Sequence, residues 1–316
     1  MRAITVSAPA RLHLGFVDLN GSLGRKYGSL GLAVDQPATM LTVREAQAFR
    51  ASGPEATRAE KALRRFSGLY AANRPFSVDV AEAIPAHAGL GSGTQLALAI
   101  GAAVLELSGN KASAQSLGEV VERGARSAIG ITAFERGGFI VDGGRGSSGH
   151  APPTVVRLDF PTDWRAILVL DPRDVGVHGE KETAAFKALP EFPETLAGHL
   201  CRLTLMRLLP GIVEKDIAAF GSALSEIQEI VGNHFSAAQG GAPWSNPEVG
   251  RIVRRLGEAG ATGLGQSSWG PTGFAFVDSE AAAHRLYSSL VEEAKAVRLD
   301  LKIVQGRNTG AVIGPA

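Results

Sequence analysis

The amino-acid sequence predicts an α+β protein with two lobes. Its 316 residues are enough for a large hydrophobic core and for two lobes. Strand patterns follow one another in pairs along the chain, and helical patterns are grouped between them. A doubly wound parallel sheet would instead place a helix between successive strands, so the order of elements favours α+β.

The first half of the chain contains three strand patterns and three helix patterns. Alternation of apolar and polar residues predicts strands, and apolar residues three or four positions apart predict helices. The predicted strands are 3–7, 38–44 and 76–85. The predicted helices are 55–73, 93–108 and 113–128. Asn73 and Pro75 end the first of these helices.

The second half begins after the stretch GGFIVDGGRGSSGHAPP (137–153), a strand followed by a flexible connection. A domain boundary is therefore predicted at residue 150, which separates a domain at 1–150 from one at 151–316. Strands are predicted at 165–172, at 300–304 and within the glycine-rich segment 263–278. Helices are predicted near 180–189, 194–209, 213–231 and 280–296.

The composition is that of an ordinary globular enzyme, with 45% hydrophobic and 20% charged residues. The net charge of +1 gives no bulk attraction to nucleic acid or to an anionic membrane, so neither is predicted as a partner. A polyanionic ligand must then be bound by local clusters of Arg and Lys. The longest apolar run, 96–105, is about half a membrane span, and the N-terminus lacks a signal-peptide pattern. These features predict a cytoplasmic protein.

Cys201 is the single cysteine of the chain. It excludes an intramolecular disulfide and a zinc site built from several cysteines. Its neighbours, GHLCRLTLMRLL, have the spacing of an amphipathic helix, which predicts a buried structural thiol rather than a nucleophile.

The segment PAHAGLGSGTQ, residues 85–95, has the composition of a phosphate-binding loop. Its glycines allow backbone conformations and close approaches that a Cβ atom would prevent. A helix that begins at 92–94 would direct unpaired N–H groups and the positive end of its dipole into the loop. The candidate phosphate-binding residues are Gly89, Gly91, Ser92, Gly93, Thr94 and Gln95. The alternative is a tight strand-to-helix turn whose small residues serve packing only.

Three motifs resemble those of the GHMP small-molecule kinase superfamily, in the same order. They are APARLHLGF near the N-terminus, PAHAGLGSGTQLALAIGAA in the middle and GLGQSSWGPTGFAFV near the C-terminus. The resemblance spans nearly the whole chain. It implies the two-lobed α+β GHMP kinase-like fold, with an N-terminal lobe of ribosomal-protein-S5 type, and the homodimer that is common in the superfamily.

An ATP-dependent GHMP-type kinase of a small-molecule alcohol is one function of this fold. In many such kinases a Gly-Ile-x-Asp stretch supplies a catalytic Asp, and the stretch SAIGITAFERGGF (127–139) places Ala133 there. Alanine can neither abstract a proton nor orient an acceptor hydroxyl, so the sequence disfavours a kinase. A catalytically inactive binding protein is disfavoured because residues 11–35 are dense in charged and polar groups.

The block RLHLGFVDLNGSLGRKYGSLGLAVD (11–35) closely resembles the signature of the β-ribofuranosylaminobenzene 5′-phosphate synthases. The stretches RSAIGITAFERGGFIVDGG and SSWGPTGFAF are similar to the same family. The resemblance implies a pentosyltransferase of tetrahydromethanopterin biosynthesis. Such an enzyme joins phosphoribosyl pyrophosphate to 4-aminobenzoate and releases carbon dioxide and pyrophosphate. 4-Hydroxybenzoate is an open alternative, because its para group also donates electrons.

The implied reaction needs cationic donors for the leaving pyrophosphate and a carboxylate near the sugar. Arg11, Arg25 and Lys26 are the candidate donors. Asp18 is the candidate carboxylate, for Mg²⁺ bound with the substrate, for the ribose hydroxyls or for the positive charge at C1. The alternatives are an exposed basic turn and a turn-capping Asp18. No organic cofactor is expected, because the para group of the substrate supplies the electrons.

His13 shares one side of a predicted strand with Arg11, either in the site or on the surface. His13 is a candidate general acid or base or a phosphate ligand. Tyr27 could stack on the aromatic substrate or close a hydrophobic edge. The remaining binding candidates are His178, Ser267, Ser268, Trp269 and Arg307. The alternatives are that His178 lies in a solvated loop, that Trp269 packs beneath its turn, and that Arg307 lies in a solvated C-terminal turn.

Overall fold

Two sheets, antiparallel apart from one short parallel pair, carry the fold in the computed structural model, which describes residues 2–147, 149–173, 189–239, 241–268 and 270–316. The strands are β1 (Ala3–Asp18), β2 (Tyr27–Glu45), β3 (Arg50–Ser52), β4 (Phe76–Glu82), β5 (Phe139–Asp142), β6 (Thr154–Leu158), β7 (Arg165–Leu170), β8 (Thr262–Gln266), β9 (Gly273–Val277), β10 (Asp300–Gln305) and β11 (Val312–Pro315). The helices are α1 (Ala56–Tyr70), α2 (Ser92–Ser108), α3 (Ala114–Val120), α4 (Ile129–Arg136), α5 (Glu194–Leu203), α6 (Leu209–Glu214), α7 (Ile217–Phe235), α8 (Pro247–Glu258) and α9 (Glu280–Ala296). A π-helical turn at Thr204–Leu208 joins α5 to α6.

The first sheet has seven strands in the order β11-β1-β2-β4-β3, and β5 pairs with both β2 and β6. The long antiparallel pair of β1 and β2 runs from Ala3 opposite Arg44 to Asp18 opposite Tyr27. Its register shifts between His13 and Gly15, which is the mark of a β-bulge. The sheet includes β6 and β11, which follow residue 150 in the chain, and the domain boundary at that residue stays a prediction.

The second sheet has four antiparallel strands in the order β10-β7-β9-β8. Side chains of β9 alternate between its two faces, as the period of a strand requires. Phe274 and Phe276 pack in a core that contains Leu12 of β1 and Phe220 of α7. Ala275 packs in a separate core with α8 and α9. One face of the second sheet is thus covered by α8 and α9, and the other face packs in the core shared with β1 and α7.

The predicted α+β class is confirmed, and most strands and helices lie where their patterns place them. The first strand is much longer than the predicted 3–7, because it continues to Asp18. Nearly every residue from Ala8 to Phe16 is buried on both faces of this strand, so the alternation that indicates a strand is lost there.

Two predicted helices are wrong at their ends. The helix predicted over 113–128 ends at Val120, and Gly124 then takes a positive φ of 87°. The helix predicted over 213–231 is split, because Lys215 takes a left-handed φ of 59° and Asp216 begins α7. The Asp216 carboxylate caps α7 by accepting from the Ala219 N–H. The helix predicted near 180–189 lies outside the described residues.

The prediction that Cys201 is buried is wrong, because the residue is exposed. Ala197, Leu200 and Leu203 form the buried face of α5, and Cys201 follows Leu200 by one position, about 100° around the helix. Partial burial of the sulfur, and then the nearby Asp18 carboxylate, raise the pKa of the thiol. A raised pKa disfavours the thiolate, which agrees with the prediction that Cys201 is not a nucleophile.

Within the described residues, one helical run has the length and apolar composition of a membrane span. It covers Glu194–Glu214, has a mean hydropathy of 1.2 and is 39% buried in the protein. A single run of this kind is weak evidence, because core helices of soluble proteins have the same features.

Candidate functional site

Three segments from distant parts of the chain meet beside the N-terminus of α2. They are residues 11–13 of β1, the glycine loop 85–91 and the turn 267–272. The Arg11 guanidinium donates through Nη1 to the Gly89 carbonyl, and the Ser267 hydroxyl donates to the same carbonyl at 2.6 Å. Ser267 Oγ also accepts from the His13 N–H at 3.0 Å. The fold therefore brings the three sequence motifs together in one site.

Gly89 allows the loop and the turn to pack against each other. Its φ is +78°, and a Cβ atom there would lie 2.3 Å from the Ser267 carbonyl oxygen and 3.0 Å from the Gly270 Cα. A side chain at this position would push the two segments apart. This close approach places Ser267 and the loop in contact, and both were predicted as site residues.

The N-terminus of α2 has the properties of an anion-binding site. Gly91 occupies the N-cap position, where it offers no side-chain cap to the first turn. A Cβ atom at Gly93 would lie 2.5 Å from Arg58 Nη2 and 3.1 Å from Arg123 Nη2. A Cβ atom at Gly91 would lie 3.3 Å from Arg11 Nε. Three guanidinium groups thus surround a helix end that itself attracts negative charge.

Arg58 and Arg123 are not predicted from the sequence, because α1 and the turn after α3 bring them to the loop from distant positions. The predicted Ser92 and Thr94 lie half-buried in the first turn of α2. Gln95 is fully buried, and its Nε2 donates to the Gly130 carbonyl at 2.7 Å. Gln95 therefore connects α2 to α4, and its role as a phosphate ligand stays a prediction.

His13 is a buried, neutral imidazole rather than a surface residue. Its side chain is 5% exposed, and the positive charges of Arg11 and Arg126 lie close to it. Burial first, and then these two guanidinium groups, lower the pKa of His13 to about 3. A neutral imidazole with this pKa can donate or accept a hydrogen bond, but it is a poor general base near pH 7. Arg126 was not predicted as a site residue, although it begins the block at 126–144 that resembles the synthase family.

The lowered pKa of His13 makes the stability of the fold depend on pH. The folded value of about 3 lies below the ordinary 6.5, so the unfolded chain binds this proton more tightly. Stability from neutral His13 is complete above pH 6.5 and is lost as the pH falls toward 3, at about 1.4 kcal/mol per pH unit. Urea unfolding of the wild type and of His13→Gln between pH 7 and pH 4 measures this dependence. As the pH falls below 6.5, the free energy of unfolding of the wild type should decrease relative to that of His13→Gln by about 1.4 kcal/mol per pH unit. If the free energies of the two proteins changed equally with pH, a buried neutral His13 would be contradicted.

A cleft opens on the side of β1 that carries His13. Its lining residues come from β1, α7, the segment after α7, and the turn after β8. They are His13, Gly15, Phe16, Gln228, Val231, Gly232, Phe235, Gln239, Gln266 and Ser268. The Phe16 ring lies 6.0 Å from both the Phe235 ring and the Tyr27 ring. Aromatic walls with a few amide groups suit a small aromatic ligand.

The predicted cations and carboxylate of the segment 18–26 make local contacts. Asp18 Oδ1 accepts the N–H groups of Asn20 and Gly21 at 2.8 and 2.9 Å, which is the turn-capping alternative. Arg25 donates to the carbonyls of Gly143 and Gly144 at 2.6 and 2.7 Å. These contacts occupy donors of Arg25 and one oxygen of Asp18, and the catalytic roles of both residues stay predictions.

Lys26 is exposed, and its backbone forms an isolated β-bridge with Arg145. Burial of His234, and then the positive charge of Lys26, lower the pKa of that imidazole. The His234 ring is 5.5 Å from the ring of Phe235, which lines the cleft. The positive charge of Lys26 therefore acts on a residue that is next to Phe235 in the chain, and its contact with pyrophosphate stays a prediction.

Asp142 is a buried carboxylate that holds two segments near the site. Its Oδ1 accepts the N–H groups of Ser29 and Gly144, both at 3.0 Å. Its Oδ2 accepts the Ala128 N–H at 2.9 Å and the Ser127 hydroxyl at 3.1 Å. Burial raises the pKa of this carboxyl, although the four hydrogen bonds oppose the rise. Asp142 thereby fixes the backbone beside Arg126 and the glycines that Arg25 contacts, and its role is not predicted from the sequence.

The remaining predicted residues have different outcomes. Ser268 lines the cleft, and its N–H donates to the His13 carbonyl at 3.3 Å. Arg307 donates to the carbonyls of Ser7 and Gly310, and burial lowers its pKa. These contacts place Arg307 at the C-terminal turn, and its binding role stays a prediction. His178 and Trp269 lie outside the described residues.

In the part of the chain that the structure describes, no three His, Cys, Asp or Glu side chains lie close enough together to hold a metal ion. One oxygen of Asp18 is occupied by backbone donors. Mg²⁺ is often bound by one or two carboxylates together with substrate phosphates, so Asp18 fits an ion whose ligands come mostly from the substrate.

The position of the kinase aspartate lies in the interior. Ala133 is fully buried in a small apolar cluster with Ala33, Ile129 and Ile140. The neighbouring Thr132 hydroxyl is 2.6 Å from the Thr154 hydroxyl. No group that could act as a kinase base is therefore supplied by this turn of α4.

Comparison with known proteins gives matches along most of the chain. The family model described as "GHMP kinases N terminal domain" matches residues 56–138, and "GHMP kinases C terminal" matches residues 208–296. The sequence is 34% identical over 299 residues to the β-ribofuranosylphenol 5′-phosphate synthase of Methanothermobacter thermautotrophicus, covering 88% of this chain and 89% of the relative. It is 33% identical over 290 residues to the same synthase of Archaeoglobus fulgidus, with the same coverage of both chains.

Solved structures share the fold at low sequence identity. A homoserine kinase from Cytophaga hutchinsonii has a TM-score of 0.69 at 19% identity, covering 99% of this chain and 98% of that one. A mevalonate diphosphate decarboxylase from Staphylococcus aureus has a TM-score of 0.67 at 16% identity, again covering 99% and 98%. The GHMP kinase-like fold is thus confirmed, and at this identity the structures say nothing further about activity.

Proposed function

The chain belongs to the family of β-ribofuranosylphenol 5′-phosphate synthases, and we propose that it joins phosphoribosyl pyrophosphate to 4-aminobenzoate with loss of carbon dioxide and pyrophosphate. It is an enzyme of the pentosyltransferase type. The observation that carries the proposal is the nearness of an anion site and an aromatic cleft. Arg11 lies beside the N-terminus of α2, and His13, two residues further along β1, lines the cleft.

The anion site suits the phosphate groups of the sugar donor. When the C1–O bond breaks, its electron pair leaves with pyrophosphate, and positive charge grows on C1 and the ring oxygen. The N–H groups of α2 and the guanidinium groups of Arg11, Arg58 and Arg123 stabilise the negative charge on the leaving group. Mg²⁺ is proposed to enter with the substrate and would neutralise part of the same charge.

The cleft suits the aromatic acceptor. The ring carbon that bears the carboxylate attacks C1, and the electrons of the bond to the carboxylate return to the ring as carbon dioxide leaves. One carbon–carbon bond forms, one breaks, and no proton is transferred. The reaction therefore needs no general base, which agrees with the neutral His13 and its low pKa. A kinase would need such a base, and Ala133 cannot supply it.

The relatives are named for a phenol product, whereas the substrate proposed here is an aminobenzoate, so two acceptors must be compared. A phenol product carries a para hydroxyl group, as 4-hydroxybenzoate would provide, whereas 4-aminobenzoate would provide an amine. Both para groups donate electrons to the attacking carbon. We retain 4-aminobenzoate as the proposed substrate and test both acceptors.

Release of labelled carbon dioxide tests the proposal. The protein is incubated with phosphoribosyl pyrophosphate, Mg²⁺ and carboxyl-labelled 4-aminobenzoate or 4-hydroxybenzoate, without ATP. We expect label to be released only when phosphoribosyl pyrophosphate is present, and the faster acceptor identifies the substrate. Release from neither acceptor, together with ATP-dependent phosphorylation of an alcohol, would support the kinase instead.

A homodimer in the cytoplasm, the role in tetrahydromethanopterin biosynthesis and the absence of an organic cofactor are further parts of this proposal. Exposed apolar side chains on the helical run 194–214 support a subunit interface. Leu205, Met206 and Val213 are 64%, 68% and 66% exposed. Sedimentation equilibrium measures the oligomeric state directly.

A further inference from the structure

Three glutamine side chains line the cleft and are connected to one another. The Gln266 N–H donates to Gln228 Oε1 at 2.9 Å, and Gln266 Nε2 donates to Gln239 Oε1 at 2.8 Å. Gln266 Oε1 in turn accepts the Ser245 N–H at 3.0 Å. All three glutamines are half-buried.

These contacts determine which end of each amide is an acceptor. A backbone N–H can only donate, so the atoms that face the N–H groups of Ser245 and Gln266 must be amide oxygens. Gln266 then presents its NH₂ group to Gln239, so Gln239 must present its oxygen. The amides of Gln228 and Gln239 thus have their oxygens occupied, and among the residues that the structure describes their NH₂ groups remain for a ligand.

The Gln228 NH₂ group lies beside the backbone of the cleft. A Cβ atom at Gly15, which also lines the cleft, would lie 3.5 Å from Gln228 Nε2 and 3.1 Å from Ile227 Cγ2. The bulge in β1 between His13 and Gly15 therefore brings the backbone close to this donor. The cleft presents hydrogen-bond donors at a wall whose other members are aromatic or small.

The charge of the lining limits what these donors bind. Among the described residues that line the cleft, none carries a carboxylate, an ammonium or a guanidinium group, and His13 is neutral. A group with acceptor atoms only, such as a carboxylate, matches two NH₂ donors. An amine, which is mainly a donor, does not match them.

We propose that the amides of Gln228 and Gln239 bind the carboxylate of the aromatic acceptor. The proposal rests on the proposed function and names the residues that orient its second substrate. The NH₂ groups hold the carboxylate, and Phe16 and Phe235 contact the ring. The ring carbon that bears the carboxylate is then held beside His13, two residues along β1 from Arg11 at the anion site.

Neutral donors suit a carboxylate that is lost in the reaction. Its negative charge disappears as carbon dioxide forms, so a strong ion pair would stabilise the ground state more than the transition state and slow the reaction. An amide NH₂ group orients the carboxylate through a weaker hydrogen bond than a cation would form, so less binding free energy is lost when the charge disappears. This accounts for glutamine rather than arginine at these positions.

Gln228→Glu and Gln239→Glu test the proposal without removing the hydrogen bonds that order the site. Each glutamate keeps the oxygen that Gln266 contacts and replaces the NH₂ donor with a second, negatively charged acceptor. We expect the KM for 4-aminobenzoate to rise about 30-fold or more in each variant, while the KM for phosphoribosyl pyrophosphate stays within about twofold. Gln115→Glu, on the exposed surface of α3, is the matched control and should leave both constants unchanged.

Equilibrium dialysis of 4-aminobenzoate against the wild type and the variants gives a second readout that needs no turnover. Binding to the wild type that the glutamates abolish supports the proposal, even if no carbon dioxide is released and the proposed function fails. A KM for 4-aminobenzoate that stays within twofold in an active Gln228→Glu enzyme overturns it. A rise in the KM for phosphoribosyl pyrophosphate of similar size would assign the amides to the sugar donor and would also overturn it.

Discussion

Replacing Arg11 with alanine should lower kcat/KM for phosphoribosyl pyrophosphate by about 100-fold to 1000-fold, because two effects are lost together. The guanidinium group places positive charge beside Gly91 at the N-terminus of α2. It also holds the glycine loop in place by donating to the Gly89 carbonyl. Steady-state kinetics with the sugar donor varied measures the loss. Arg11→Lys keeps the charge but not the planar donors, so an intermediate loss is expected.

Arg64→Ala is the matched control for Arg11→Ala. Arg64 lies on the exposed surface of α1, where it donates to Glu60 at 2.6 and 2.9 Å and lies over the Phe49 ring, so its loss removes a surface ion pair and a cation–π contact. We expect activity within about twofold of the wild type. An Arg11→Ala enzyme whose kcat/KM for the sugar donor also stayed within that range would show that the phosphate groups bind elsewhere.

Replacing Asp142 with alanine should destabilise the protein by about 3–5 kcal/mol. Four donors lose their acceptor in a buried environment, and unsatisfied buried donors are costly. Asp142→Asn should be less damaging, since its remaining oxygen can still accept from one pair of donors. Urea unfolding at pH 7, followed by circular dichroism, gives both free energies. Activity should fall in the folded fraction as well, because Asp142 fixes the backbone next to Arg126.

Asp79→Ala is the control for Asp142→Ala, because it removes a carboxylate that is exposed rather than buried. Asp79 is exposed on β4 and accepts from the Ser52 hydroxyl at 2.7 Å. Its removal should change the free energy of unfolding by less than about 1 kcal/mol. Equal unfolding midpoints for the wild type and Asp142→Ala would contradict the assigned role of Asp142 as an anchor of two segments.

The elements that the sequence predicted well are those whose periodicity reflects burial on one face. The alternation at 76–85 and the apolar spacing at 280–296 correspond to β4 and α9. The prediction failed where both faces are buried, as in the extension of β1 to Asp18. It also failed at the end of α3, where Glu122 and Gly124 take positive φ values of 57° and 87° that do not fit a right-handed helix.

The candidate site shows the same division. The sequence by itself determined the α+β class, the three motifs and the synthase family, and it predicted a phosphate-binding glycine loop, because each depends on residues that are consecutive in the chain. Only the tertiary structure decided that Arg58, Arg123 and the cleft glutamines belong to the site. It also decided that His13 is neutral. The orientation of an amide or the protonation of an imidazole depends on partners from other segments, which local sequence does not specify.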